Sequence, residues 1–241
     1  PDPEAWSIRW YKNMIGDCSA DVVSSTVPCS TKWMVGTVNS FYIGIIATVI
    51  ATALGTLAAL GLSRPHMPYK GLIMAILISP MIVPLIITAA GMFFFYARIN
   101  LVYTFTGVIL AHVALATPFV VITVTATLVG FDMNMVKAAQ SLGAKPMRTF
   151  FKVIMPLILP GIISGALFAF ITSFDEVVIV MFMASIDQLT IPKQMWAGIR
   201  QEISPVILCM ATCLVLLSIF LLTTVELLRR RSEKLRGIKA R

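Results

Sequence analysis

Five uninterrupted runs, Met34 to Ser63, Gly71 to Ala97, Ile99 to Phe131, Val153 to Phe174 and Ile203 to Val225, contain no Asp, Glu, Lys or Arg. Each is longer than the ~20 residues a helix needs to cross a bilayer core. Composition agrees: 58% of the 241 residues are hydrophobic and 12% are charged, against about 25% charged in ordinary soluble domains. Membrane strands alternate apolar and polar positions over about 10 residues. Ile43 to Ala53 and Ile73 to Ile87 show no such alternation. The sequence therefore predicts an all-α integral membrane protein with five spanning helices at about 36–62, 71–97, 103–128, 157–182 and 204–227.

Orientation follows from the placement of Lys and Arg in the short connections. Arg64 and Lys70 lie after the first span, Lys137, Lys145, Arg148 and Lys152 between the third and fourth, and seven more in a tail at 229–241. These thirteen face one side, while Arg9, Lys12, Lys32, Arg98, Lys193 and Arg200 face the other. The richer side is the cytosol, so the net charge of +8 is topological and gives no reason to invoke nucleic acid. Residues 1–33 then lie outside, and their export calls for an upstream helix, giving six spans in all. Cys18 and Cys29 fall in this external segment, where a disulfide or two free thiols are both compatible with the compartment.

Within that segment, Trp6, Ile8, Trp10, Tyr11, Met14 and Ile15 interleave with Arg9 and Lys12. Such a pattern suits either a short interfacial helix with aromatic anchors or a plain loop. Ala47, Ala51, Gly55 and Ala59 in the first span form a small-residue ridge at four-residue spacing, as do Gly161, Gly165, Ala169 and Ser173 in the fourth. Ridges of this kind let helix backbones approach closely. Pro80 and Pro84 in the second span and Pro118 in the third predict bent or locally unwound helices. His112 reads as a structural histidine that bonds across helices, Cys209 and Cys213 as packing residues and His66 as a turn residue.

The polar island at 130–156 is more specific. Asp132 or Asn134 caps a short helix through Met135, Val136, Ala138, Ala139 and Leu142, and Gly143 ends it in a left-handed conformation. Pro146 opens a second helix where its missing donor costs nothing. Ala138, Ala139 and Gly143 give the element a smooth surface suited to a cleft on another protein. The spacing resembles the cytosolic loop of permease subunits of binding-protein-dependent ABC importers, whose pattern is Glu-Ala-Ala, three residues, Gly, nine residues, Ile, one residue, Leu-Pro. Ala138, Ala139, Gly143 and Pro156 match, Val153 and Met155 stand for Ile and Leu, and Lys137 occupies the Glu position. Asn39-Ser40, Pro118-Phe119-Val120-Val121, Gly130-Phe131-Asp132, Ser173-Phe174-Asp175-Glu176 and Ser204-Pro205 are similar to the spermidine/putrescine branch. Val206 departs from the Glu usual there.

The resemblance implies the transmembrane fold of a type I ABC importer in a bacterial inner membrane. Its coupling surface would be Lys137, Ala138, Ala139, Gly143, Ala144 and Pro156. It also implies a second permease, homologous or identical, an ATPase dimer holding ATP and Mg, and a periplasmic substrate-binding protein. That protein would dock on outer loops including 184–201, with Gln188 to Pro192 the expected neighbourhood. The chain itself has no Walker-type phosphate loop and needs no cofactor of its own.

Asp175 and Glu176 interrupt the apolar stretch from Phe168 to Phe182. Carboxylates at such a depth are costly and ordinarily face a bundle interior or a water path. On one continuous helix they point about 100° apart, so one would line the substrate pathway for cations while the other caps or pairs. The competing reading places both at the membrane boundary, bonded to nearby backbone. A lone channel or secondary transporter would call for inverted repeats, and an intramembrane enzyme for a nucleophile or metal-ligand constellation. Neither signal is visible in this chain.

Overall fold

In hydrocarbon the backbone must satisfy its own hydrogen bonds, so charge-free runs of this length become helices. The protein's computed structural model describes residues 8–16, 31–64, 66–129, 134–201 and 204–235, with backbone alone at 201, 225, 226 and 228–235. All regular structure among them is helical: α1 (Arg9–Met14), α2 (Lys32–Leu62), α3 (Lys70–Ile82), α4 (Leu85–Arg98), α5 (Phe105–Val129), α6 (Asn134–Ser141), α7 (Pro146–Thr149), α8 (Met155–Phe174), α9 (Val178–Met183), α10 (Ile191–Gln201) and α11 (Pro205–Leu235). The Cys18–Cys29 pairing, Trp6, Asp132 as a cap, the Gly130-Phe131-Asp132 match and the last six residues of the tail lie outside the described residues.

α2, α5 and α8 form the core. The small-residue ridges explain why. Ala47, Ala51, Gly55 and Ala59 on α2 and Gly161, Gly165, Ala169 and Ser173 on α8 are all buried. A methyl group built on Gly55 would stand 2.6 Å from Val120 Cβ, and one on Gly165 would stand 3.0 Å from Val120 Cα. Both ridges thus close on α5, and α2 and α8 also meet directly where Gly44 packs on Phe170. The same contacts fix direction. Tyr42 packs on Phe105 and Gly55 on Val120, so α2 and α5 run parallel. Ser173 meets His112 while Gly161 meets Thr127, so α8 runs antiparallel to them.

Because α2 and α5 are parallel, the chain between them must return to the opposite end of the bundle. α3 and α4 make that return as one crossing bent by 104°. Its cause is Pro84, which pushes the residue before it out of the helical region: Val83 is extended, at φ −72 and ψ 134. Pro80, in contrast, stays inside α3, where Ser79 Oγ donates to the Ile76 carbonyl that the proline leaves without a donor. With this pair counted once, the described residues hold the five expected spans.

Two expectations are corrected. α5 runs through Pro118 without a break, because α2 and α8 enclose it from two sides. The fourth span is not one helix over 157–182: α8 stops at Phe174 and α9 resumes at Val178. The last span is found at Pro205–Thr224, close to the expected 204–227, and its helix, α11, runs on into the basic tail as far as Leu235. No Gly or Pro occurs between Val206 and Leu235 to stop it.

Candidate functional site

The chain concentrates unusual local structure at the two ends of the α2–α5–α8 core. At the end where α5 leaves and α8 enters, α6 finishes in a left-handed glycine, Gly143, at φ +80. Ala144 N–H donates to the Ala139 carbonyl at 3.0 Å and Gly143 N–H to the Gln140 carbonyl at 2.9 Å. This paired closure satisfies the last carbonyls of the helix and fixes the turn. Pro146 opens α7, and a π-helical turn at Phe150–Ile154 carries α7 straight into α8. That turn precedes Pro156, which has no N–H to return to the helix, so the wider winding accommodates the missing donor. Of the loop predicted at 130–156, α6 is the separate first helix, whereas the second, opened by Pro146, is the first turns of a helix from Pro146 to Phe174. Lys137, Ala138, Gly143 and Pro156 are exposed, while Ala139 and Ala144 are half-buried.

At the other end lies the break between α8 and α9. The two carboxylates there have different environments. Glu176 is 7% exposed, and its Oε1 accepts the backbone N–H of Ile179 at 2.8 Å, capping the first turn of α9. Asp175 is exposed. Two residues before it, in α8, Ser173 Oγ shares a 2.7 Å hydrogen bond with His112 Nδ1 from α5, and His112 is 1% exposed. The opposite terminus of α9 is held by Lys193, whose Nζ donates to the Ala184 carbonyl at 2.8 Å. Burial pushes the Lys193 ammonium below the usual lysine range. α9 thus has an acid at its N-terminus and a cation at its C-terminus, the arrangement its dipole favours.

The segment 184–191 then folds back as a strap over α2. Asn39 Nδ2 donates to the carbonyls of Asp187 at 2.8 Å and Leu189 at 2.9 Å, and Ser40 Oγ accepts the Ile191 N–H at 2.9 Å. Gln188 Oε1 accepts both the N–H and the hydroxyl of Ser185, which closes the turn from inside. Within the expected neighbourhood of partner contact, Gln188 to Pro192, the residues Gln188, Thr190 and Ile191 are buried against the chain itself. The outward residues are Ile186, at 87% exposure, and Asp187.

Residues 31–234 match the family described as binding-protein-dependent transport system inner membrane component. This chain belongs to that family. It is 30% identical, over 81% of its length and 76% of the relative's, to the spermidine/putrescine transport system permease protein PotC of Haemophilus influenzae. It is 29% identical to the putrescine transport system permease protein PotI of Escherichia coli, over 86% of its length and 72% of the relative's. The permease also shares its fold with an amino acid ABC transporter crystallised with histidines, at a TM-score of 0.63, 17% identity and coverage of 83% and 94% of the two chains. The inward-facing MetNI methionine ABC transporter gives 0.61 at 19% identity, with coverage of 90% and 100%. The chain is a multi-pass permease subunit of an ABC importer with the type I transmembrane fold, and it belongs to a transport family rather than a catalytic one.

The permease's motif pairs acquire physical roles in this geometry. Asn39 and Ser40 hold the strap, Ser173 bonds His112, and Ser204-Pro205 opens α11. Lys193 and Gln188 were not legible as structural residues, because each acts on a carbonyl or turn whose position only the tertiary fold defines. His112 was legible as a cross-helix donor or acceptor, but its partner was not. α1 is more than a surface anchor, since it packs on α11 and places Trp10 and Met14 against Trp33, Ile191, Val206, Ile207 and Met210.

Proposed function

We propose that this chain is a permease subunit of a bacterial inner-membrane polyamine importer, moving putrescine or spermidine by ATP-driven alternating access. The observation that carries the substrate class is the break in the fourth span. Glu176 is occupied there with the N-terminus of α9, which leaves Asp175 as the exposed carboxylate. An exposed acid beside apolar helices attracts ammonium groups through a medium that screens poorly. The relatives' names point to the same class of solute.

ATP and Mg would bind a separate ATPase pair, since the sequence offers no phosphate-binding loop. The surface of Lys137, Ala138, Ala139, Gly143, Ala144 and Pro156 would receive the ATPase movement. A second permease would complete the pathway, and a substrate-binding protein would deliver solute at the strap end, near Ile186 and Asp187. The test is uptake of radiolabelled putrescine by the assembled transporter in proteoliposomes. Asp175→Asn should raise the KM about tenfold, between a screened surface pair and a poorly screened one. Glu176→Gln, which keeps an acceptor for Ile179, should change KM little. An unchanged KM for Asp175→Asn, with wild-type uptake intact, would refute the role given to this carboxylate.

A further inference from the structure

The face of α8 that carries Asp175 is the one its core neighbours leave open. Ser164, Phe168, Ile171 and Asp175 recur at spacings of four, three and four residues, so they fall within about 60° of one another around the axis. Gly161, Gly165 and Ser173 turn toward α5, and Phe170 and Phe174 toward Phe41 and Gly44 on α2. On the remaining side Phe168 is 51% exposed and Ile171 39%, and Asp175 is exposed. A carboxylate on a face turned to hydrocarbon is costly, so this face turns to water or to protein. Phe168 shares that face, and contact with lipid therefore does not account for its exposure.

The ring of Phe168 is held by a neighbour. Phe119 from α5 stacks beside it, with centroids 6.4 Å apart and planes 22° from parallel. A phenyl ring carries negative charge density on its faces, and an ammonium group within about 6 Å of the centroid is attracted to it. Seven residues separate Phe168 from Asp175, close to two turns and ~10.5 Å along the axis. With bonds of about 1.5 Å, an extended triamine with four- and three-carbon spacers sets its terminal nitrogens about 11 Å apart, and a four-carbon diamine about 6 Å. The longer solute spans both groups, whereas the shorter one reaches only one of them.

We propose that Phe168 is a cation–π subsite that takes a second ammonium group of the solute while Asp175 binds the first, so that the chain favours a triamine over a diamine. Phe119 is the positioning residue that fixes the ring. The inference rests on the polyamine reading above and adds the length of solute that the pathway measures.

The experiment replaces Phe168 in the assembled transporter by phenylalanines bearing one, two and three ring fluorines, and measures the KM of spermidine and putrescine uptake in proteoliposomes. Fluorine withdraws charge density from the ring face and nearly preserves the size of the side chain. The ratio of the spermidine KM to the putrescine KM should climb with each fluorine, to about tenfold with three, the size of a partly desolvated cation–π contact. Phe168→Leu should raise the ratio equally, and Phe119→Leu, which frees the ring, by about threefold. The fluorinated series keeps the test readable if a leucine disturbs assembly. A ratio that stays flat across that series would overturn the inference, whether the two KM values hold or rise together, because Phe168 would then act by packing alone. A wild-type transporter that takes up neither solute would instead remove the polyamine reading, and this inference with it.

Discussion

The close approach of Gly55 to Val120 gives a prediction whose sign is set by two opposing terms. Replacing Gly55 by Ala adds one methyl group to α2. Built in place, it would lie 2.6 Å from Val120 Cβ, 2.8 Å from Val120 Cγ1 and 3.3 Å from the Thr117 carbonyl oxygen, where ordinary contact begins at 3.4 Å. Val120 is fully buried, its Cβ is fixed by the backbone of α5, and a β-branched side chain in a helix has essentially one rotamer. Relief therefore requires the two helices to move apart. Overpacking of this kind costs up to about 3 kcal/mol, while Gly→Ala inside a helix returns up to about 1 kcal/mol. The difference, about 2 kcal/mol against the native state, corresponds to a fall of roughly 4–8 °C in Tm for a chain of this size. Gly91→Ala is the matched comparison. It is the same chemical change inside α4, where nothing lies within 4 Å of the added methyl group, so the propensity gain should stand alone and raise Tm by about 2–4 °C. Tryptophan fluorescence during thermal unfolding of the purified protein in detergent reads both. If Gly55→Ala melted at or above the wild-type temperature, the close α2–α5 approach would be wrong.

Other perturbations test the two ends of the bundle. His112→Phe and Ser173→Ala should each destabilise the protein by about 1–3 kcal/mol, since each leaves a buried polar partner unmatched. The double variant should cost less than their sum, a non-additivity that a thermal-melt cycle measures. Gly143→Val places a β-branched residue at φ +80 and should cost about 1–3 kcal/mol locally; it should abolish putrescine-stimulated ATP hydrolysis while the subunits still copurify, and intact stimulation would refute the coupling role. Asn39→Ala removes both bonds to the strap and should raise hydrogen–deuterium exchange across 185–191, with no change in exchange across α6.

What the sequence by itself determined is the part of the protein written in composition and short-range spacing. Five charge-free runs dictate helices because hydrocarbon offers the backbone no other partner. Four-residue ridges specify where backbones meet, as Gly55 and Gly165 on Val120 confirm. The α6 turn was equally local: Gly143 and Pro146 encode the stop and the restart within a few residues. Tertiary structure decided what depends on partners distant in the chain. Pro84 breaks its span whereas Pro118 does not, because α5 is held from two sides and the α3–α4 joint is exposed. Periodicity carried a helix through Asp175 and Glu176, but burial drives Glu176 to take the Ile179 N–H and end that continuity. Lys193 and Asn39 are ordinary polar residues in sequence, and they become structural ones because folding brings carbonyls from 184–189 within hydrogen-bonding distance of them. A buried polar group must find a partner, and which partner it finds is a property of the assembled bundle.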